Sequence, residues 1–204
     1  MNPNLLSKIG FQVVISRITL FLPLSKQPNV SQRIGGTVVS SGIITTRKAL
    51  IEDIEQILDI YNQGIEDRIA TLEVETKSLS YMENWFREHQ GRHTVLVAEK
   101  DGKVVGWSSL NRYSQRCAYD GVADLSIYVD REYRGQGIGS SLLPALESEA
   151  KANDFYKIVI FTFPFNESGQ GLYRKVGYRE VGVFEKQGLL DDKFIDVMIM
   201  EKLL

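Results

Sequence analysis

Arg134-Gly135-Gln136-Gly137-Ile138-Gly139-Ser140 is the stretch on which the reading of this chain turns. It follows an apolar alternating run, Val122 to Val129, and opens a helix-like run that reaches Ala152. A glycine-rich turn between a strand and a helix leaves backbone N–H groups unpaired and facing outward. The helix N-terminus adds about half a positive charge there. Such a place binds phosphate or pyrophosphate. No lysine follows the glycines, so the GxxxxGK[ST] loop of nucleoside triphosphate hydrolysis is excluded. Gly135, Gly137 and Ser140 fit a dinucleotide fingerprint loosely. That fingerprint belongs to a first strand–helix unit, whereas this loop lies well past the middle of the chain. A turn that needs glycine for its backbone and binds nothing is the plain alternative.

The chain has 204 residues, enough for one domain with a sizeable core. A formal net charge of −2 gives no reason to expect a nucleic acid as partner. The single cysteine, Cys117, rules out an intrachain disulfide and points to a reducing compartment, the cytoplasm. With two histidines, His89 and His93, and one cysteine, no His/Cys metal cluster of the usual spacing can be built, and no metal is expected. Residues 1–42 stand apart: they hold Lys8, Arg17, Lys26 and Arg33 and no acidic residue. Their apolar run, Ile18 to Leu24, is too short to cross a bilayer and contains Pro23. No membrane partner is expected. Residues 1–42 are read as a poorly ordered extension and 43–204 as the folded domain.

Ile43 to Thr46 reads as a first strand. Ile54, Ile57, Leu58 and Tyr61 fall at helical spacing, with Gly64 as the stop. Leu79, Met82, Trp85 and Phe86 repeat that spacing over Ser78 to His89. Thr94–Glu99 and Val104–Leu110 read as strands joined by the hairpin signal Asp101-Gly102. A polar loop, Arg112 to Gly121, leads into the strand Val122–Val129. The helix after the glycine loop buries Leu142, Leu143 and Leu146. Pro144 inside it removes the bond to the Ser140 carbonyl, which predicts a kink or an irregular first turn. Lys157–Phe163 is a strand, Ser168–Val176 a short helix, and Tyr178–Val183 and Phe194–Glu201 are the final strands. The order β-α-α-β-β-β-α-β-α-β-β predicts a mixed α/β (α+β) domain: a mainly antiparallel sheet of about seven strands with about four helices.

This order, with the glycine loop after the fourth strand, resembles the GNAT superfamily of N-acetyltransferases over residues 43–204. Arg134, Gly137 and Gly139 match the [Q/R]-x-x-G-x-[G/A] loop of acetyl-CoA-dependent acetyltransferases. Asn166, Tyr173, Gly177 and Tyr178 match the family's N-x(6)-[YF]-x-x-x-G-[FY] segment, in order and at the right separation. Ile60-Tyr61-Asn62, Arg116-x-Ala118-Tyr119 and Ser126-Ile127-Tyr128-Val129 are similar to the branch holding phosphinothricin and methionine-sulfoximine N-acetyltransferases. Gln63 to Glu73 resembles members acting on arsinothricin. The resemblance implies acetyl-CoA as co-substrate, a small glutamate-like amine as acceptor, and a homodimer. Another amino acid, a polyamine, a protein N-terminus, or a non-catalytic acetyl-CoA-binding module stay as alternatives.

Acetyl transfer needs a neutral amine, a polarised thioester and a leaving thiolate. An α-amino group has a pKa near 8, so one nearby carboxylate, acting directly or through a water, suffices as base. Asp124 stands where the branch carries Glu, on one strand face with Ser126 and Tyr128. Its other reading is a residue that orients the neighbouring loop. Tyr173 matches the position proposed to protonate the thiolate, or is a core aromatic. Asn166 would bond pantetheine or bridge the fourth and fifth strands, or is a turn residue. The resemblance assigns backbone groups of Ile127, Tyr128 and Val129 to pantetheine. It assigns Arg134, Gly135, Gln136, Gly137, Ile138, Gly139 and Ser140 to the pyrophosphate. It puts Arg116 and Tyr119 on the loop lining the amino-acid site, an arginine fork matching a carboxylate or phosphinate. Arg68 and Thr71 are further acceptor-site candidates. Cys117 is read as a bystander, and Glu66 and Asp67 as a solvated helix end.

Overall fold

The computed structural model describes residues 42–204. The extension expected over 1–42 lies, up to residue 41, outside the described residues. The elements are β1 (Ile44–Lys48), α1 (Ile54–Glu66), α2 (Leu79–Glu88), β2 (Val95–Lys100), β3 (Lys103–Arg112), β4 (Val122–Val129), α3 (Ile138–Ala152), β5 (Lys157–Thr162), α4 (Glu167–Lys175), β6 (Arg179–Leu190) and β7 (Lys193–Leu203). The strands form one seven-stranded sheet in the order β1-β2-β3-β4-β5-β7-β6. Every neighbouring pair is antiparallel except β4 and β5. The mixed, mainly antiparallel domain expected from the sequence is the one observed.

Both faces of the sheet are covered. On β2, Leu96 and Ala98 join the cluster under α3, where Leu142, Leu143 and Leu146 are fully buried. Val95 and Val97 point the other way, to Ile54, Ile57 and Ile60 of α1 and Met82 and Phe86 of α2. A strand buried on both faces has no reason to alternate, which explains the unbroken apolar run in β2. At the β2–β3 turn Asp101 and Gly102 both have positive φ, 52° and 78°, as a two-residue hairpin turn requires.

Three local expectations are corrected. Gly64 does not stop α1, which continues to Glu66. A Cβ on Gly64 would sit 2.6 Å from Cδ1 of Tyr128, so the missing side chain lets the Tyr128 ring lie against the helix. The Gly64→Val variant is expected to lose about 1–3 kcal/mol through overpacking, read as a lower urea midpoint at unchanged slope. Secondly, the first turn of α3 is regular: Ser141 N donates to Gly137 O at 3.1 Å, and the helix is continuous across Pro144. Thirdly, β6 runs to Leu190 rather than ending at Val183. Register shifts between Glu180 and Gly182 and between Phe184 and Gly188 break its alternation, and Lys186 has φ 50°. Asp196 Oδ1 accepts from Lys186 N at 2.7 Å inside that bulge.

The feature that makes a site is the parting of β4 and β5. They pair only over Val122–Asp124 and Lys157–Val159. Beyond Asp124 the strands diverge, and the outer edge of β4 is left without a strand partner. Asp130 N donates to Val105 O of β3, so by alternation the even-numbered backbone groups of β4 face β3. Those of Ile127 and Val129 face the opening. Arg134 Nε donating to Val129 O at 3.2 Å, from outside the sheet, agrees with this direction.

Candidate active site

Two cavities meet in the opening between β4 and β5. The first, about 410 Å³, runs from the glycine loop past Ile127, Tyr128 and Val129 to Asn166 and Tyr173. The second, about 330 Å³, is lined by Thr71, Asp124, Ser126, Thr162 and Gln187, together with Ile127, Tyr128, Asn166 and Tyr173. The last four line both cavities, so the two spaces join over the middle of β4. A molecule in each would come together there.

The first cavity ends in a cradle suited to pyrophosphate. Gly135 and Gly137 have φ 74° and 88°, and no atom lies within 4 Å of a Cβ built on either. Gly137 is the N-cap of α3, so the unpaired N–H groups of the first turn open toward this space. Gly139 serves packing instead. A Cβ there would meet Leu172 Cδ2 at 2.5 Å, so its absence seats α3 against α4. Ile138 is buried in the core, and Ser140 lines the cavity. Gln136 turns away, accepting from Lys100 Nζ at 2.9 Å and donating to Glu132 O at 2.9 Å. Arg134 lines the cavity, but its guanidinium is held by Asp67 Oδ2 at 2.6 Å. Asp67 also takes Arg131 at 2.7 Å. Burial opposes the Asp67 charge, but the two arginines outweigh it and hold the carboxyl below the usual range. Reading Asp67 as a solvated helix end is therefore corrected.

In the second cavity Asp124 sits beside the last β4–β5 pair. Burial pushes its carboxyl up to about 6, against the opposing hydrogen bonds from Leu125 N–H and the Asn111 amide. Tyr128 is fixed by rings on two sides, stacking on Trp107 at 4.9 Å and meeting Tyr61 edge-on at 5.0 Å. Thr71 lines the same cavity, and its Oγ1 accepts from Glu73 N at 3.1 Å. Tyr173 is buried, and burial pushes its phenol up to about 12. Asn166 caps α4, accepting from Gly169 N at 3.0 Å, and reaches Thr162 Oγ1 at 3.4 Å. These bonds run to α4 and β5, not across to β4.

Three expected acceptor-site residues line neither cavity. Arg68 lines neither cavity: its Nη1 donates to the carbonyls of Ile65, Glu73 and Val74, and its Nε to Asp191 Oδ2 at 3.0 Å. It staples the loop after α1 to the β6–β7 turn. Tyr119 lines a separate cavity with Arg92, His93 and Arg112. Arg116 is exposed on the β3–β4 loop. That loop leaves β3 at Arg112, which pairs with Ala123 next to Asp124. Cys117 is exposed. Sequence reasoning missed Gln187 and Thr162. Only the β6 bulge and the parting of β5 from β4 bring them to the cavity, and neither leaves a local pattern. Among the described residues no group of three His, Cys, Asp or Glu side chains could hold a metal ion.

The model of the acetyltransferase (GNAT) family matches residues 53–178. The chain belongs to the GNAT acetyltransferase family. The GNAT domain is 32% identical to YwnH of Bacillus subtilis over 158 residues, covering 77% of this chain and 97% of that protein. It is 27% identical over 157 residues to the L-methionine sulfoximine/L-methionine sulfone acetyltransferase of Pseudomonas aeruginosa, covering 76% of this chain and 91% of that one. Among solved structures it is similar to a phosphinothricin acetyltransferase from Sinorhizobium meliloti in complex with acetyl-CoA. There the TM-score is 0.75 and the identity 28%, over 79% of this chain and 88% of that one. The matched residues include all of the lining of the first cavity and most of that of the second.

Proposed function

We propose that this acetyltransferase moves an acetyl group from acetyl-CoA to the α-amine of a small glutamate-like amino acid, such as phosphinothricin, methionine sulfoximine or arsinothricin. The observation that carries the reading is the junction of the two cavities, with the pyrophosphate cradle at one end and Asp124 in the other. The first cavity takes acetyl-CoA, which supplies the activated acetyl group. Pyrophosphate lies on the N–H groups around Gly135 and Gly137, and pantetheine pairs with the free β4 edge at Ile127 and Val129. Asn166 contributes at the mouth of α4. The acceptor enters the second cavity. Asp124 takes the amine proton, directly or through a water, and the amine attacks. A cleft-facing β4 N–H steadies the charge growing on the thioester oxygen. Acetylation removes the positive charge of the amine, and with it a recognition feature of a glutamate-like toxin, which gives resistance as the biological outcome.

Among the described residues no Arg or Lys lines the second cavity. The anionic end of such an acceptor therefore needs a cation at the rim, and Arg116 on the loop beside Asp124 is our candidate. A phenol pushed up to about 12 stays protonated throughout the working range, so Tyr173 can supply a proton to the leaving thiolate. Tyr173→Phe is expected to lower kcat about tenfold with the acetyl-CoA KM unchanged; an unchanged kcat would make Tyr173 a core residue only. No helix among the described residues is long and apolar enough to cross a membrane. We assign the enzyme to the cytoplasm on the strength of its single cysteine, with a small-molecule partner and no nucleic acid, and a homodimer as its working form.

The experiment is a CoA-thiol release screen with phosphinothricin, methionine sulfoximine, arsinothricin, ordinary amino acids, a polyamine and a short peptide. Turnover is expected to be highest with the glutamate-like amines. Release with the peptide or polyamine alone would replace the acceptor class. Acetyl-CoA binding with no release from any amine would favour a non-catalytic binding module.

A further inference from the structure

Asp124 has a second layer behind it. Asn111 of β3 is its direct partner in the sheet register, so the two side chains stand next to each other on one face of the sheet. The Asn111 amide is held from three sides. Its Nδ2 donates to Ser126 Oγ at 2.9 Å, and its Oδ1 accepts from Ser109 Oγ at 2.8 Å and faces His89 Nε2 at 2.9 Å. The other ring nitrogen of His89, Nδ1, lies 2.8 Å from the carbonyl oxygen of Trp85. The imidazole also lies over the Trp85 indole, with centroids 4.1 Å apart at 33°.

Asn111 thus stands between the ring and Asp124: its amide oxygen faces His89 and the Ser109 hydroxyl, and its NH₂ reaches Ser126, two residues from Asp124 on the same strand face.

We propose that His89 is a positioning residue for acetyl transfer: its ring, anchored on the Trp85 carbonyl, holds the Asn111 amide in the orientation that keeps Asp124, the register partner of Asn111, aimed into the acceptor cavity. The inference rests on Asp124 being the base or water-orienting group. Near His89, His93 is held below the usual range by burial first, then by His89, Arg92 and Arg112. Asp124 faces Tyr128 on its own strand, Asn111 on β3 and the Leu125 N–H.

The test begins with kcat of His89→Ala, measured beside its melting temperature: an unchanged kcat in a protein that melts like wild type overturns the proposal. In kinetics, His89→Ala is expected to lower kcat about tenfold and move the acid limb of kcat/KM up by about one pH unit, with the acetyl-CoA KM unchanged. His89→Gln, which keeps a donor toward Asn111, is expected to recover most of kcat. An unmoved acid limb in a His89→Ala protein that melts like wild type also overturns it. If Asp124→Asn is inactive while His89→Ala behaves as wild type, only the His89 proposal falls. If Asp124→Asn keeps full turnover, the assignment of Asp124 falls and takes this proposal with it.

Discussion

Asp124→Asn is expected to lower kcat by about 10²–10³-fold, within the usual range for loss of a positioned acid–base group, with the acetyl-CoA KM nearly unchanged. The carboxylate lines the second cavity but not the first, so its loss should not touch donor binding. Its carboxyl, pushed up to about 6 by burial, must be ionised to work. Wild-type kcat/KM should therefore fall below about pH 6, and the variant should lose that limb. The same shift makes a stability statement. The folded carboxyl is raised above its unfolded value, so its favourable contribution is complete below the unfolded value and is lost as pH rises through about 6. At pH 8 the ionised group is a burden on the fold. Asp124→Asn, neutral at every pH, is expected to melt higher than wild type there by about 3 °C, the size of a 1 kcal/mol change at this chain length. An inactive, more stable variant is the combination expected of a functional carboxylate. A variant that loses stability while keeping turnover would mark Asp124 as a loop-orienting residue instead.

Gly137→Val is the second large effect. With φ at 88°, Gly137 holds a backbone conformation that a β-branched residue adopts only at a cost of about 1–3 kcal/mol. A side chain there also points into open space at the cradle. If the loop keeps its shape, the valine occupies room meant for pyrophosphate. If it relaxes, the N–H groups turn away from the ligand. Both routes weaken donor binding, and the acetyl-CoA Kd measured by calorimetry is expected to rise more than about 100-fold, about 2.7 kcal/mol. Gly139→Ala is the control. Its new Cβ would meet Leu172 rather than the ligand space, so it should lower the melting temperature while leaving the Kd much closer to wild type. Equal effects of the two variants on Kd would contradict this division of labour among the glycines.

What the sequence made legible was local. Gly135, Gly137 and Gly139, and the spacing from Asn166 to Tyr178, are each set by one strand–turn–helix segment, so short-range chemistry reveals them. The element order followed from periodicity, because most elements have one clear apolar face. Features that depend on long-range geometry were hidden. Nothing near Arg68 indicates that four acceptors wait for its guanidinium, one of them in the β6–β7 turn. Gly64 carries the signal of a helix stop, and only the Tyr128 ring shows why it is glycine. The length of β6 was masked by its own bulges, and those bulges bring Gln187 to the acceptor cavity. The link from His89 through Asn111 to Asp124 crosses three elements and has no motif.

The most direct measurement of the central claim is the mass spectrum and NMR spectrum of the acceptor after incubation with the enzyme and acetyl-CoA. Phosphinothricin, methionine sulfoximine and arsinothricin are each offered in turn. The joined cavities predict a single new acetyl group on the α-nitrogen of at least one of the three, formed by wild type and not by Asp124→Asn. An unmodified acceptor in all three mixtures, from a protein that binds acetyl-CoA, would contradict it.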